Sequence, residues 1–222
     1  MSATSLEQAL LDISSGATEV DVSDQQIGDD GVVRLAEALT EALESSSTVI
    51  DIYLDGNGIT DQGVECLAEF LEKSGSVVQF SLYNNSVTDA GATRLARSLA
   101  CCAQLQTLDL RENAVADAGA SALAEALERG AALQFLLLKD NDVGDDGAKR
   151  LAEAVRRCGS GGPLRQLDLE SNKITALGST ALKEVRESTK KEIQCGYQKS
   201  EVRQQHTKLI DSLGQDGVFA SR

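Results

Sequence analysis

The chain has 222 residues, of which 41% are hydrophobic, enough to bury a core in one or two domains or one elongated domain. Aromatic residues make up 3%, with no Trp and one Pro, so that core rests on Leu, Val, Ile and Ala, and the composition argues against a disordered chain. With 35 acidic against 21 basic residues the formal charge is −14, which argues against a nucleic-acid backbone binder and against docking on anionic membranes.

Met1 to Leu11 has no basic segment followed by an apolar run, and no Arg, so it reads as neither a signal nor a transit peptide. No apolar stretch approaches the roughly 20 residues of a membrane span. Ser5-Leu6-Glu7-Gln8 has the form of a capping box, and Leu6, Ala9, Leu10 and Ile13 share one helical face. Residues 4 to 15 therefore predict a helix, and 1–16 an N-terminal cap.

From there the chain repeats itself. A degenerate copy reads Val20, Val22, Gln25, Ile27, Asp29, Gly31. The next reads Ile52, Leu54, Asn57, Ile59, Asp61, Gly63, and the third Phe80, Leu82, Asn85, Val87, Asp89, Gly91. The fourth is Leu108, Leu110, Asn113, Val115, Asp117, Gly119, and the fifth Leu136, Leu138, Asn141, Val143, Asp145, Gly147. The sixth is Leu167, Leu169, Asn172, Ile174, Gly178, with Ala176 where the others have Asp. The Asn positions are spaced 32, 28, 28, 28 and 31 residues apart. The Leu-x-Leu alternation predicts a short strand with one buried face. The Asn side chain carries donors and acceptors and predicts a ladder of bonds in stacked turns. The Asp predicts a helix N-cap.

An amphipathic helix follows each time, with apolar faces such as Leu35, Ala36, Leu39 and Leu123, Ala124, Leu127. The sixth helix breaks the pattern at Ser179, Lys183 and Arg186, keeps Leu182, and has Ala181 and Val185 as substitutes, as the end of a solenoid should. Ser160-Gly161-Gly162-Pro163 lengthens one loop, and without a following GK[ST] it is no phosphate loop. Ile193 and Cys195 predict a partial seventh strand, residues 200 to 213 a C-terminal cap helix, and Gly214 to Arg222 a tail in which Val218 and Phe219 are the large apolar residues.

The 28-residue L-x-x-L-x-L-x-x-N-x-[IV]-x-D-x-G unit with its helix resembles the ribonuclease-inhibitor class of leucine-rich repeats. The resemblance covers about residues 17 to 198. It implies an α/β solenoid, a curved horseshoe with parallel strands on the concave face and helices on the convex face. The domain reading is then 1–16 cap, 17–198 repeats and 199–222 cap helix and tail. Similar repeats occur in NOD-like receptors, Ran GTPase-activating proteins and tropomodulin, so the fold selects no single function.

Chemistry is sparse. His206 stands alone, which leaves no His-based triad or His metal cluster. Asp140 to Gly147 superficially resembles a calcium loop, but Gly144 sits at the fifth position, Asp145 where Gly is needed and Leu151 where Glu is needed. The five Cys are odd in number with no CxxC spacing, which suggests neither disulfides nor zinc and fits reduced thiols in a cytosolic or nuclear compartment, with cytoplasmic as the expectation. Cys101-Cys102 reads as helix-terminal packing rather than a redox pair. No cofactor and no catalytic residue are expected.

The surface is more informative. Residues facing away from the core form three columns along the strands. They are Glu19, Asp51, Gln79, Thr107, Phe135, Gln166; then Asp21, Tyr53, Ser81, Asp109, Leu137, Asp168; then Ser23, Asp55, Tyr83, Arg111, Lys139, Glu170. Tyr53, Tyr83, Phe135 and Leu137 stand where the fold needs no apolar residue and are expected to project freely as interface anchors. Asp51, Asp55, Asp109 and Arg111 are expected beside them. Residues 1–130 hold 22 acidic and 6 basic residues, and 131–222 hold 13 and 15, so the N-terminal half should attract a basic partner. Six strands give a ladder roughly 24 Å long, room for about 800 Å² of interface per partner. The reading is a monomeric, non-enzymatic module that binds another protein through its concave sheet. The alternatives are a GTPase-activating role resting on Arg111, by resemblance to Ran GTPase-activating proteins, and actin or cytoskeletal capping, by resemblance to tropomodulin.

Overall fold

The structure is a computed structural model that describes residues 4–44 and 48–195. The cap helix and tail expected at 199–222 lie outside the described residues, as does His206. The elements are α1 (Leu6–Ser14), β1 (Glu19–Asp21), α2 (Gly28–Glu44), β2 (Asp51–Tyr53), α3 (Asp61–Lys73), β3 (Gln79–Ser81) and α4 (Asp89–Ser98). They continue as β4 (Thr107–Asp109), α5 (Asp117–Glu128), β5 (Phe135–Leu137), α6 (Asp145–Cys158), β6 (Gln166–Asp168), α7 (Ala176–Thr189) and β7 (Glu192–Gln194). All seven strands join one parallel sheet in chain order. Equivalent repeat positions pair across it, as Asp51 with Gln79 and Gln79 with Thr107, so each repeat position becomes a column. Each helix packs on the next. Strands stack about 4.8 Å apart and helices about 8–10 Å apart. Two layers with unequal spacing, joined at every repeat, must bend with the strands inside.

The core is the Leu-x-Leu face of each strand against the apolar face of each helix. Ile52, Leu54, Phe80, Leu82, Leu108, Leu110, Leu136 and Leu138 are fully buried. In α7, Leu182 and Val185 are buried and Ala181 is half-buried, so the substitutes do fill the irregular last helix. Helix α1 packs on α2 and buries Ala9 and Ile13. Its capping box is half made: the Gln8 backbone N–H donates to Ser5 Oγ at 3.3 Å, but the Gln8 side chain turns to Asp12. Cys102 is buried and its Sγ lies 3.2 Å from Leu71 O, while Cys101 is exposed. Among the described residues, no helix is long and apolar enough to cross a membrane.

Two ladders tie the repeats together. In the first, Asn113 Nδ2 donates to Leu82 O of the preceding repeat at 2.8 Å and to Leu110 O and Arg111 O of its own. Its Oδ1 accepts from Val87 N at 2.9 Å. Asn57, Asn85, Asn141 and Asn172 do the same one repeat apart. The residue before each of these is held at positive φ, and only Gly56 among them is glycine; Asn84, Glu112, Asp140 and Ser171 take the strained conformation with a side chain. The Asn113 side chain is half-buried rather than buried, because it lies at the rim of the turn. Asn113→Ala leaves three carbonyls and one N–H short of a partner and is expected to cost about 1–3 kcal/mol in urea unfolding. A loss under about 0.5 kcal/mol would show that water replaces the amide.

The second ladder corrects the reading of the recurring Asp of the repeat as the cap of its own helix. Asp61, Asp89, Asp117 and Asp145 are first residues of their helices. Their carboxylates reach the next helix instead. Asp61 Oδ1 accepts from Thr88 N at 2.8 Å and Gly91 N at 2.9 Å, and Asp145 Oδ1 accepts from Thr175 N at 2.8 Å and Gly178 N at 2.9 Å. The repeat period, not the local helix, decides which N–H groups are free and near. Ala176 in the last helix follows from this, since no further helix awaits a cap among the described residues. The segment from Asp140 to Gly147 is absorbed by the same ladders, with Asn141 in the first, Asp145 in the second, and Asp142 paired to Lys173 at 2.8 Å.

Candidate functional site: the concave sheet

The three columns face inward on the bend, and they are not equally open. From β3 to β6 the second column is closed: Ser81 is 6% exposed, Asp109 6%, Leu137 1% and Asp168 3%. The expectation that Leu137 projects freely is therefore wrong. Side chains on the inside of a bent sheet converge, and a column with strands about 4.8 Å apart closes over its own members. Gln79, Thr107 and Gln166 of the first column are closed as well. Tyr53, Tyr83 and Phe135 are half-buried, and Phe135 and the two tyrosines all have interactions within the chain, so none of them projects unsatisfied. Tyr53 Oη donates to Gln79 Oε1 at 3.1 Å, and Tyr83 Oη donates to Glu112 Oε1 at 2.7 Å.

The cations of the sheet are already engaged. Arg111 grips Asp109, with Nε at 2.9 Å from both carboxylate oxygens and a further bond from Nη2, and its guanidinium lies 5.2 Å from the Tyr83 ring centroid. Lys139 lies 3.6 Å from Glu170. Asp109 and Arg111, expected as contact residues, form one internal unit that stiffens the middle of the sheet. The ends are more open: at the β1–β2 end Glu19 is exposed and Asp21, Asp51 and Asp55 are half-buried, and on β7 Glu192 is exposed and Gln194 half-buried. The structure brings Asp51, Tyr53 and Asp55 together at the β1–β2 end and leaves Phe135 three strands away. Among the described residues no group of three His, Cys, Asp or Glu side chains could hold a metal ion.

The Leucine Rich repeat family matches residues 45–68, 101–124, 133–152 and 163–183, four of the stretches in which strand, turn and helix follow one another. Those four stretches are leucine-rich repeats. Among solved structures, this repeat chain is similar to "Leiomodin-1 Actin-Binding Site 2 (ABS2)", with a TM-score of 0.50 and 15% identity over 97% of this chain and 100% of that one. At that identity the likeness concerns the fold. No curated protein sequence matches the chain significantly.

The β1–β2 end of the leucine-rich-repeat sheet is electrostatically uncomfortable. Burial, and then the neighbouring negative charge of Glu19, push Asp51 up to about 6. Burial also pushes Asp55 up to about 6, with Asp109 adding to the rise and Ser81, the Tyr83 backbone and Arg111 offsetting part of it. Both carboxylates sit above their ordinary value, so their charged forms are disfavoured in the folded state. Above pH 6 the fold carries that cost in full. As pH falls from about 6 to about 4 the folded state takes up protons that the unfolded state does not, and these groups' contribution to stability rises. Asp51→Asn and Asp55→Asn are each expected to stabilise the protein by about 1 kcal/mol at pH 7.5, after allowance for solvent screening. The gain should fade toward pH 4. Urea midpoints at several pH values check this, and a gain independent of pH would contradict it.

Proposed function

We propose that the chain is a non-enzymatic interaction module that engages a partner protein through the concave sheet, centred on its open β1–β2 end. One observation carries the reading: the half-buried carboxylates of Asp51 and Asp55 are kept on the face of the sheet that carries no helix, although burial there disfavours their charged forms. Sites that a fold maintains against its own stability are where function is sought. Tyr53, Tyr83 and Phe135 supply aromatic contact area beside them, while Leu137, Asp109 and Arg111 support the sheet from within. In the same reading residues 1–16 and 199–222 cap the 17–198 repeats. The free cysteines Cys66, Cys101, Cys102, Cys158 and Cys195 support a reducing, cytoplasmic setting, with the chain a monomer until it meets its partner.

The alternatives fare unequally. A GTPase-activating role needs a guanidinium free to reach a phosphate, and Arg111 is committed to Asp109 and the Tyr83 ring. Actin is the first partner to try, because the similar structure is an actin-binding site by its title. The test is a photo-crosslinking amino acid placed at Tyr53 and, as control, at exposed Glu69 on α3. Adducts with purified actin or with another cytosolic protein are expected from position 53 and not from position 69. Adducts from position 69 alone would move the site to the convex helices.

A further inference from the structure

The step from Asn141 to Asn172 is 31 residues, against 28 in each of the three repeats before it. The extra length lies in the turn from α6 to β6, at Ser160-Gly161-Gly162-Pro163, and it is held in place. Gly162 sits so close to the end of α6 that a Cβ there would stand 2.9 Å from both Cβ and O of Cys158. From the other side Lys191, just before β7, donates from Nζ to Gly162 O at 2.9 Å and to Leu164 O at 2.5 Å. The loop thus forms one wall of a cleft of about 560 Å³, and the α7–β7 turn forms another. Arg165, Lys190 and Lys191 line this cleft, and among the described residues none of the three forms an ion pair. Arg165 and Lys190 are exposed, whereas Lys191 is 8% exposed. An ammonium has three N–H donors, and the two loop carbonyls take two of them. Burial holds Lys191 below the ordinary lysine value, so its charge is costly there. A buried cation with a donor to spare and no counter-ion is a need that an oxyanion meets. Glu192 is the one acidic residue of the lining, and it accepts from Gln194 Nε2 at 2.9 Å. Three cations and one carboxylate leave two positive charges, which match a phosphoryl group of about −1.5 to −2 at neutral pH better than a single carboxylate.

We propose that this cleft binds a phosphorylated serine or threonine of a partner protein, its phosphoryl oxygens on Lys191, Arg165 and Lys190. Side-chain cations hold the group here, unlike in a nucleotide phosphate loop, because the loop leads into β6 and no helix starts from it. The cleft is larger than a phosphoryl group and leaves room for the residues beside it. Arg165 immediately precedes β6 and Glu192 opens β7, so a bound segment can continue onto the sheet. The acidic strand β2 lies four strand spacings from β6, roughly 19 Å or about two Debye lengths at physiological salt, so its carboxylates repel little at the cleft. The inference goes beyond the concave-face reading and does not depend on it.

The probe is a fluorescein-labelled peptide, Gly-Ala-Gly-phosphoserine-Gly-Ala-Gly, titrated with the full chain by anisotropy at physiological salt. The controls are the same peptide with serine or glutamate in place of phosphoserine, and inorganic phosphate as competitor. The phosphopeptide is expected to bind, the serine peptide not, the glutamate peptide about tenfold more weakly, and free phosphate to compete only in large excess. Arg165→Gln and Lys190→Gln, at exposed positions, should each weaken binding about tenfold and leave the melting temperature unchanged. Gly162→Ala keeps every charge but pushes the loop off Cys158, and should weaken binding about fivefold. Lys183→Gln removes an exposed cation of α7 outside the cleft and should change binding by less than about twofold. Equal binding of the serine or glutamate peptide, equal loss from Lys183→Gln, or full binding by the Arg165→Gln, Lys190→Gln double variant overturns the proposal. Displacement by free phosphate at the concentration of the peptide also overturns it, since the cleft would then hold the ion alone. The crosslink at position 53 is untouched by all of these outcomes and tests the concave-face reading separately.

Discussion

Leu108→Ala is expected to cost about 2–5 kcal/mol, because Leu108 is fully buried on the central strand and alanine leaves a cavity between two layers. In register it lies between Phe80 and Leu136, so the cavity is shared by three repeats. Stability in stacked repeats is close to a sum of unit terms and nearest-neighbour terms. A change at the centre weakens two interfaces. The matching change Ile193→Ala on β7 touches, among the described residues, only the β6 side, and should cost clearly less. Urea unfolding of the two variants makes the comparison. A Leu108→Ala cost below about 0.5 kcal/mol would mean that the site collapses around the smaller residue without losing contacts.

The fold was legible because each repeat position is chemically typed and recurs at nearly constant spacing. Leu108 and Leu136 need no context to be assigned to the core once their columns are seen. The site was less legible, and the errors have particular causes. Asp61 stands beside its own helix in sequence, and a linear reading gives its carboxylate to that helix. The true partners, Thr88 and Gly91, are 27 and 30 residues onward. The spacing did hold the signal, since the last helix lacks the Asp. Leu137 alternates outward with Asp109 and Asp168, which is correct, but alternation says nothing about how tightly the inside of a bend closes. Arg111 follows Asp109, the last residue of β4, by two residues, and their pairing could have been read from that spacing. The raised carboxylates of Asp51 and Asp55 could not, because depth of burial is a property of packing and leaves no mark in the sequence.

The D-x-G ladder gives the second large effect, and its sign opposes local propensity. Gly119 lies in the first turn of α5, where alanine would ordinarily favour a helix by about 1 kcal/mol. Here a Cβ would stand 2.8 Å from Asp89 Oδ1, 2.8 Å from Val115 Cγ1 and 2.9 Å from Ala92 Cβ. The Asp89 carboxylate is close because it accepts from Gly119 N at 2.7 Å and Ala116 N at 2.8 Å. Gly119→Ala therefore forces two helices apart and lengthens a charge-assisted bond, at about 2–3 kcal/mol. Asp89→Ala removes the same bonds and frees part of the space. The double variant should thus be less destabilised than the two single costs predict, by about 1 kcal/mol, since both changes break one contact. Val115 and Ala92 keep the cycle from cancelling fully. If Gly119→Ala instead raised the unfolding midpoint, helix propensity would outweigh the inter-repeat contact. The Gly at this position would then need another reason.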